Sequence, residues 1–205
     1  FLLRFLSSLI LGPLIILFIF LQDLFFYYIL FIVSILTIYE IFKLKEKIIK
    51  ISILFLLIIF VHSSLQIYSL DNGKFIIIYT LLLTWLSDIG GYVFGKFIGG
   101  KKIKIISPNK TYSGFLGSFL FVQSFGHCAK LFNSNYISEI LLNFYFLLTC
   151  TLVVILGDML FSYFKRRCNV KDFSNLIPGH GGLLDRIDGL IILTIYMYIL
   201  KLWIL

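Results

Sequence analysis

Charge is scarce in this chain. Charged residues make up 14% of its 205 positions, against about 25% in a typical soluble domain. Too few polar groups remain to cover a water-facing surface, which excludes a soluble globular protein. Cysteine is scarce too: there are three, Cys128, Cys150 and Cys168, and none stands in a CxxC or CxxH pair. That spacing argues against a cysteine-ligated zinc site, and no disulfide is expected. Cys128 and Cys150 lie in apolar runs, where a small buried thiol is ordinary. No internal repeat, low-complexity linker or soluble domain interrupts the chain, so 1–205 reads as a single integral membrane domain. Acidic residues number 10 against 18 basic ones, a net charge of +8. In a soluble protein that excess would suggest nucleic acid. In a membrane protein it is the positive-inside bias, and position decides between the two.

Apolar residues fill 60% of the chain. A spanning helix needs about 20 of them in a row. Seven stretches qualify, near 5–21, 24–42, 51–70, 75–95, 112–132, 138–164 and 187–205. The expected fold class is therefore an all-α polytopic membrane protein with about seven transmembrane helices. The chain opens on Phe1 rather than Met, so residues ahead of it are expected. Its first apolar stretch carries Arg4 and Pro13 and runs into Gln22, Asp23 and more apolar sequence. With no small-residue cleavage site, it reads as a retained helix and not a signal peptide. With seven spans, fifteen of the 18 basic residues fall on one side. They are Arg4; Lys43, Lys45, Lys47 and Lys50; Lys96, Lys101, Lys102, Lys104 and Lys110; and Lys165, Arg166, Arg167, Lys171 and Arg186. Only Lys74, Lys130 and Lys201 fall on the other side. The bias puts the N-terminus and the basic loops in the cytoplasm, and it explains the charge without nucleic acid.

Two of these basic loops break the apolar pattern with Gly, Pro, Asp, Ser and Asn. Polar, non-helical backbone near a bilayer persists only if it is buried in protein or lines a wet cavity, so both loops are expected to build a site. In the later one, Asp158 and Ser162 are four apart and share a helix face. Asp185 and Asp188, three apart, share another. Each Asp sits near or inside the membrane boundary, where an uncompensated carboxylate is expensive. Arg186, Lys171 or Arg166 would relieve that cost as an ion pair. A cation would relieve it as well: Mg²⁺ takes hard oxygen ligands and completes its shell with water and phosphate. Three carboxylates beside a glycine-rich loop favour the metal. Gly179, Gly181 and Gly182 surround His180 behind Pro178, a tight turn leading into a helix whose N–H groups can hold phosphate. Glycines also serve turns by shape alone, and His180 suits hydrogen bonding, phosphate contact or proton transfer. In the earlier loop, Asp88 lies in an apolar helix, a functional position by default unless it bonds a neighbouring helix. Ser107, Asn109, Lys110 and Thr111 are placed to contact a phosphate, and Thr111 equally suits a helix cap. Glu40, His62 and His127 stand alone in apolar runs and read as packing or interface residues.

The assembled pattern is specific. Ser162-x-x-Lys165-Arg166, Lys171-Asp172 and Pro178-x-His180-Gly181-Gly182-x-x-Asp185-Arg186-x-Asp188 resemble the signature of the CDP-diacylglycerol synthase family, the phosphatidate cytidylyltransferases. Ser87-Asp88, Gly91-Tyr92, Gly95-Lys96 and Ser107-Pro108-x-Lys110-Thr111-x-x-Gly114 resemble that family's other familiar stretch. The likeness covers roughly 85–117 and 155–190. It implies that CTP and phosphatidic acid give CDP-diacylglycerol and pyrophosphate in phospholipid biosynthesis. It implies Mg²⁺, alone or with a second cation, a homodimer in a bacterial inner membrane, and a cytoplasm-facing site. By position, Asp158, Asp185 and Asp188 would hold the metal and, with Lys171, Asp172 and His180, form the catalytic set. Asp88, Ser107, Lys110, Thr111, Ser162, Lys165, Arg166, Gly181, Gly182 and Arg186 would bind substrate. The chain departs from the pattern at Ser113 and Phe161, where family members carry Glu, and it is shorter than typical members. Two rival readings stand beside this one. A CTP-dependent polyprenol kinase would move the γ-phosphate to a lipid alcohol, but the complete signature argues against it. A transporter should show paired broken helices in two related halves, and none are found.

Overall fold

The computed structural model describes residues 16, 17, 19, 22–101, 110–131, 142–176 and 181–204. Among the described residues the regular structure is helical. The helices are α1 (Asp23–Phe42), α2 (Lys47–Tyr68), α3 (Gly73–Phe97), α4 (Tyr112–Leu131), α5 (Phe144–Arg167) and α6 (Leu184–Ile204). Four of them, α1, α2, α3 and α5, are long and apolar enough to cross a membrane, so this is a helical, multi-pass membrane protein. The other two match in length, at 20 and 21 residues, and carry polar groups. Gly114, Gly117, Gln123 and His127 dilute α4, while Asp185, Arg186 and Asp188 crowd the start of α6. The span expected at 5–21 falls, but for three positions, outside the described residues.

The helix ends have local causes. Lys47 and Lys50, expected in a loop, belong to α2, because the Glu46 carbonyl accepts the Lys50 N–H at 3.1 Å. Only residues 43–46 then link α1 to α2. Lys50 Nζ reaches back 2.9 Å to the Phe42 carbonyl, a cation on the exposed carbonyl end of α1. At α5, Asn143 accepts the Tyr145 N–H at 2.9 Å and caps the helix. Lys165, Arg166 and Arg167, also expected to lie beyond the helix, form its last turn, where positive charge offsets the dipole. Asn169, with φ of 55°, then closes it. Val170 N–H bonds the Lys165 carbonyl at 3.0 Å and Asn169 N–H bonds Arg166 at 3.1 Å, the paired bonds of a Schellman stop.

The chain forms two compact units. The first comprises Phe1–Val61 and Phe164–Ile187; the second comprises His62–Tyr163 and Asp188–Leu205. In the first, Phe26, Leu30, Ile41, Ile53 and Leu57 are buried. In the second, α3 and α4 pack with their backbones touching. A Cβ on Gly90 would lie 2.8 Å from the Gly117 carbonyl carbon, and one on Gly91 would lie 2.8 Å from Ser118 Oγ. Small residues permit such close approach between helices in lipid, where packing rather than water expulsion drives association. Ser118 adds a hydrogen bond to the Ser87 carbonyl at 2.6 Å.

Candidate active site

In the second unit, α3, the start of α4, and α5 line a cavity of ≈ 200 Å³. Stretches far apart in sequence meet in it. Ser87, Asp88, Gly91 and Gly95 come from α3, Lys110, Thr111 and Gly114 from the entrance to α4, and Asp158 from α5. The α4 entrance is ordered by its own residues. Thr111 Oγ1 accepts the Gly114 N–H at 3.1 Å, answering one of the N–H groups a helix start leaves without partners. The same oxygen lies 2.9 Å from Ser113 Oγ, and Ser113 donates to the Gly99 carbonyl. Thr111 is thus a helix cap and a cavity-lining residue at once. Glycine at 95 and 114 makes room for it, since a Cβ at either would come within 3.2 or 3.3 Å of Thr111 Oγ1.

Lys110 pairs with Asp158; the two side chains are 22% and 32% exposed. The partner is neither of the arginines nor the Lys171 that the sequence offered for an ion pair, but a lysine from the other motif stretch. Ser162 shares the Asp158 face as its spacing requires, at 3.5 Å, the outer limit of a hydrogen bond. The cavity therefore joins one ammonium group, hydroxyls and two carboxylates. Ammonium and hydroxyl groups suit phosphate oxygens, and carboxylates suit the cation that accompanies a polyphosphate.

In the first unit, a second cluster forms around Asp185. Its Oδ1 accepts Lys165 Nζ at 2.7 Å. Its Oδ2 accepts the N–H groups of Phe173 at 2.9 Å and Gly182 at 3.1 Å. The Gly182 bond reaches back three residues, so Asp185 answers an N–H just ahead of α6. The Asp185 side chain is only 6% exposed, and three donors offset the cost of enclosing its charge. Gly181 has φ of +85°, a left-handed conformation that glycine adopts freely. Glu40, expected to be a packing residue, belongs to this cluster. It is fully buried and accepts the N–H groups of Leu183 and Leu184 and the Ser174 hydroxyl. The signal that could have found it is the default applied to Asp88: an acid in an apolar span is functional until shown otherwise.

The remaining expected residues scatter. Lys171, Asp172, Arg166 and Arg186 are exposed. Asp188 is buried, in the second unit, and its Oδ1 accepts the Gly189 N–H at 2.7 Å. Asp158 shares that unit, and Asp185 belongs to the first. Among the described residues, no three His, Cys, Asp or Glu side chains group closely enough to hold a metal ion. Ser107 and His180 lie outside the described residues. At Cys168, just past the end of α5, burial pushes the thiol pKa up.

The sequence profile of the Cytidylyltransferase family matches residues 45–203. The chain is 41% identical over 137 residues to the phosphatidate cytidylyltransferase of Staphylococcus aureus (strain COL), covering 64% of this chain and 48% of that protein. It is 38% identical over 139 residues to that of Staphylococcus haemolyticus, with the same coverage. To that of Rickettsia bellii it is 33% identical over 198 residues, 93% of this chain and 86% of that protein. The chain thus spans about half the length of the staphylococcal relatives and most of the rickettsial one. The matched region runs from the start of α2 through α6 and holds the cavity of the second unit and every motif residue of the first. The chain belongs to the cytidylyltransferase family.

Proposed function

We propose that the protein is a phosphatidate cytidylyltransferase, acting as a single catalytic domain over 1–205. The observation that carries this reading is the cavity of the second unit, where Asp88, Lys110 and Thr111 of one motif stretch meet Asp158 of the other. A phosphate oxygen of phosphatidic acid attacks the α-phosphorus of CTP in line. A new P–O bond forms, the bond to the bridging oxygen breaks, and pyrophosphate leaves with the electron pair. Such transfers depend on positioning and charge neutralisation rather than on a covalent nucleophile. Lys110 supplies positive charge where negative charge builds on the departing pyrophosphate. Thr111, at the cavity wall, orients a phosphate oxygen. On the family pattern, Ser107, Ser162, Lys165, Arg166, Gly181, Gly182 and Arg186 also contact substrate, and Lys171, Asp172 and His180 join the acids in catalysis.

Magnesium is part of the proposal. The donors at the cavity are hard oxygens, Asp158 with Ser162 beside it, and Asp188 lies in the same unit. Mg²⁺ ordinarily takes one or two carboxylates and fills its shell with water and phosphate, so three grouped acids are not required. When bound, it neutralises phosphate charge. On the family pattern Asp185 is also a metal ligand; in the first unit its Oδ1 accepts Lys165 Nζ. We also assign the protein seven spans, a homodimeric state and a bacterial inner-membrane location, with its site on the cytoplasmic side. The support for that orientation is the placement of fifteen of the 18 basic residues.

The test is an assay of purified protein with phosphatidic acid, Mg²⁺ and CTP labelled at the α-phosphorus, beside Asp158→Asn. Label entering a lipid, and lost in the variant, supports the reading. Transfer of γ-label instead identifies a kinase. Transfer of neither label by folded protein overturns the proposal.

A further inference from the structure

Glu40 is used by neither motif stretch, and it lies outside the region matched to the family. It sits two residues before the end of α1 and is wholly enclosed. A carboxylate so placed is costly unless each oxygen is answered. Here Oε1 accepts the Leu183 N–H at 2.7 Å and the Ser174 hydroxyl at 2.6 Å, and Oε2 accepts the Leu184 N–H at 2.8 Å. Leu183 and Leu184 stand at the start of α6, where N–H groups lack helical partners and the dipole favours an anion. A Cβ on Gly182 would stand 3.0 Å from both Glu40 oxygens and from Asp185 Oδ2. Two carboxylates therefore grip one turn, Asp185 from within its own helix and Glu40 from α1.

We propose that Glu40 is a positioning residue for Asp185. It caps α6 from outside and, through Ser174, ties down the segment whose Phe173 N–H also bonds Asp185. Its effect on turnover rests on the cytidylyltransferase reading; its effect on the α6 entrance does not. The chemistry calls for a carboxylate, since three donors converge on its two oxygens. Glutamine at position 40 would offer one oxygen and turn its NH₂ donor against another donor.

The experiment compares the full chain with Glu40→Gln and Ser174→Ala in detergent, by hydrogen exchange resolved along the sequence and by α-label transfer. In Glu40→Gln, exchange at 182–185 should rise about tenfold, the scale of one lost hydrogen bond to a charged group, while α2 and α3 keep their protection. The kcat per folded protein should fall about tenfold, with KM for CTP changed less than about twofold, because a misplaced Asp185 alters the reacting geometry more than nucleotide affinity. Ser174→Ala, which removes one donor and keeps the carboxylate, should show the same pattern more weakly. Unchanged exchange at 182–185 in Glu40→Gln overturns the proposal, as does an equal rise along every helix, which would mark general loosening. Faster local exchange with unchanged kcat also overturns it, leaving a cap without a part in the site. A wild-type chain that transfers no label sinks the reaction, while exchange still decides the role of Glu40 at the turn.

Discussion

Replacing Gly117 with alanine asks whether the cavity depends on two helices touching. A Cβ there would lie 2.5 Å from Phe94 Cβ and closer still to the Gly90 carbonyl oxygen. Ordinary contacts begin near 3.4 Å. Neither neighbour is the flexible end of a side chain, so α3 and α4 must part by about 1 Å, a gap that forfeits a quarter to a half of each contact along the seam. Overpacking of this kind costs about 1–3 kcal/mol. The Ser118–Ser87 bond, one residue along, stretches with it. For a chain of this length each kcal/mol is worth about 2–4 °C, so a melting point lower by about 2–12 °C is expected. The same parting carries Asp88 and Gly91 away from Thr111 and Gly114 across the cavity. A misplacement of about 1 Å can cost about a hundredfold in rate. The assay is thermal unfolding in one detergent, followed by α-label transfer. The control is Leu116→Ala, next in sequence but 63% exposed, whose expected change is about 0.5 kcal/mol or less. If Gly117→Ala melts with the wild type, or no lower than the control, the glycine contact does not hold the site and the reasoning is refuted.

Four further outcomes are expected. Asp185→Asn strands Lys165, in a pair only 16% and 6% exposed, and should lose about 3 kcal/mol together with label transfer. Adding Lys165→Met should restore stability but not transfer, and a single variant as stable as wild type would show that the pair carries nothing. Lys110→Met should lower kcat/KM for CTP about a hundredfold, whereas Lys45→Met, in the link between α1 and α2, should not; equal losses refute the placement of Lys110 at the departing phosphate. Alkylation of Cys168 proceeds through the thiolate. Burial raises this thiol's pKa, so the rate should keep climbing with pH beyond the ordinary thiol value. A plateau near the usual value of about 8.5 would refute the effect. In a cysteine-free background and intact cells, an impermeant maleimide should label Asn72→Cys at once and Lys45→Cys only after permeabilisation. The reverse order overturns the orientation.

The helices were legible because lipid demands long apolar runs, and such runs need no knowledge of partners. The expected span at 112–132 and the observed α4 at Tyr112–Leu131 agree almost to the residue. Where bounds moved, polar atoms moved them. Lys47 and Lys50 joined α2 through the Glu46 carbonyl, and the basic run Lys165–Arg167 joined α5 because its charge suits a helix C-terminus. The pairing of Asp158 with Ser162 was legible from spacing. Its ion pair with Lys110 was not, since no periodicity links residues 48 apart and the nearer basic side chains looked equally suitable. Thr111 was visible as an open choice between cap and phosphate contact; its hydroxyl caps α4 and the residue lines the cavity.

Glu40 marks the harder limit. Its partners Leu183 and Leu184 lie 143 and 144 residues away, and both offer backbone N–H groups that any residue but proline would present. A side chain that bonds backbone leaves no complementary letter in its partner, so no motif can contain the pair. The family profile begins at residue 45, past Glu40, although it contains the whole turn that Glu40 grips. Asp185 caps its helix through Gly182, three residues back, and so appears in the signature with its glycine. The Glu40 cap on the same turn comes from another helix and can be seen only once the chain is folded. Burial then separates it from an ordinary packing residue, because an enclosed carboxylate must have its charge answered by donors, and here the donors are those of the α6 entrance.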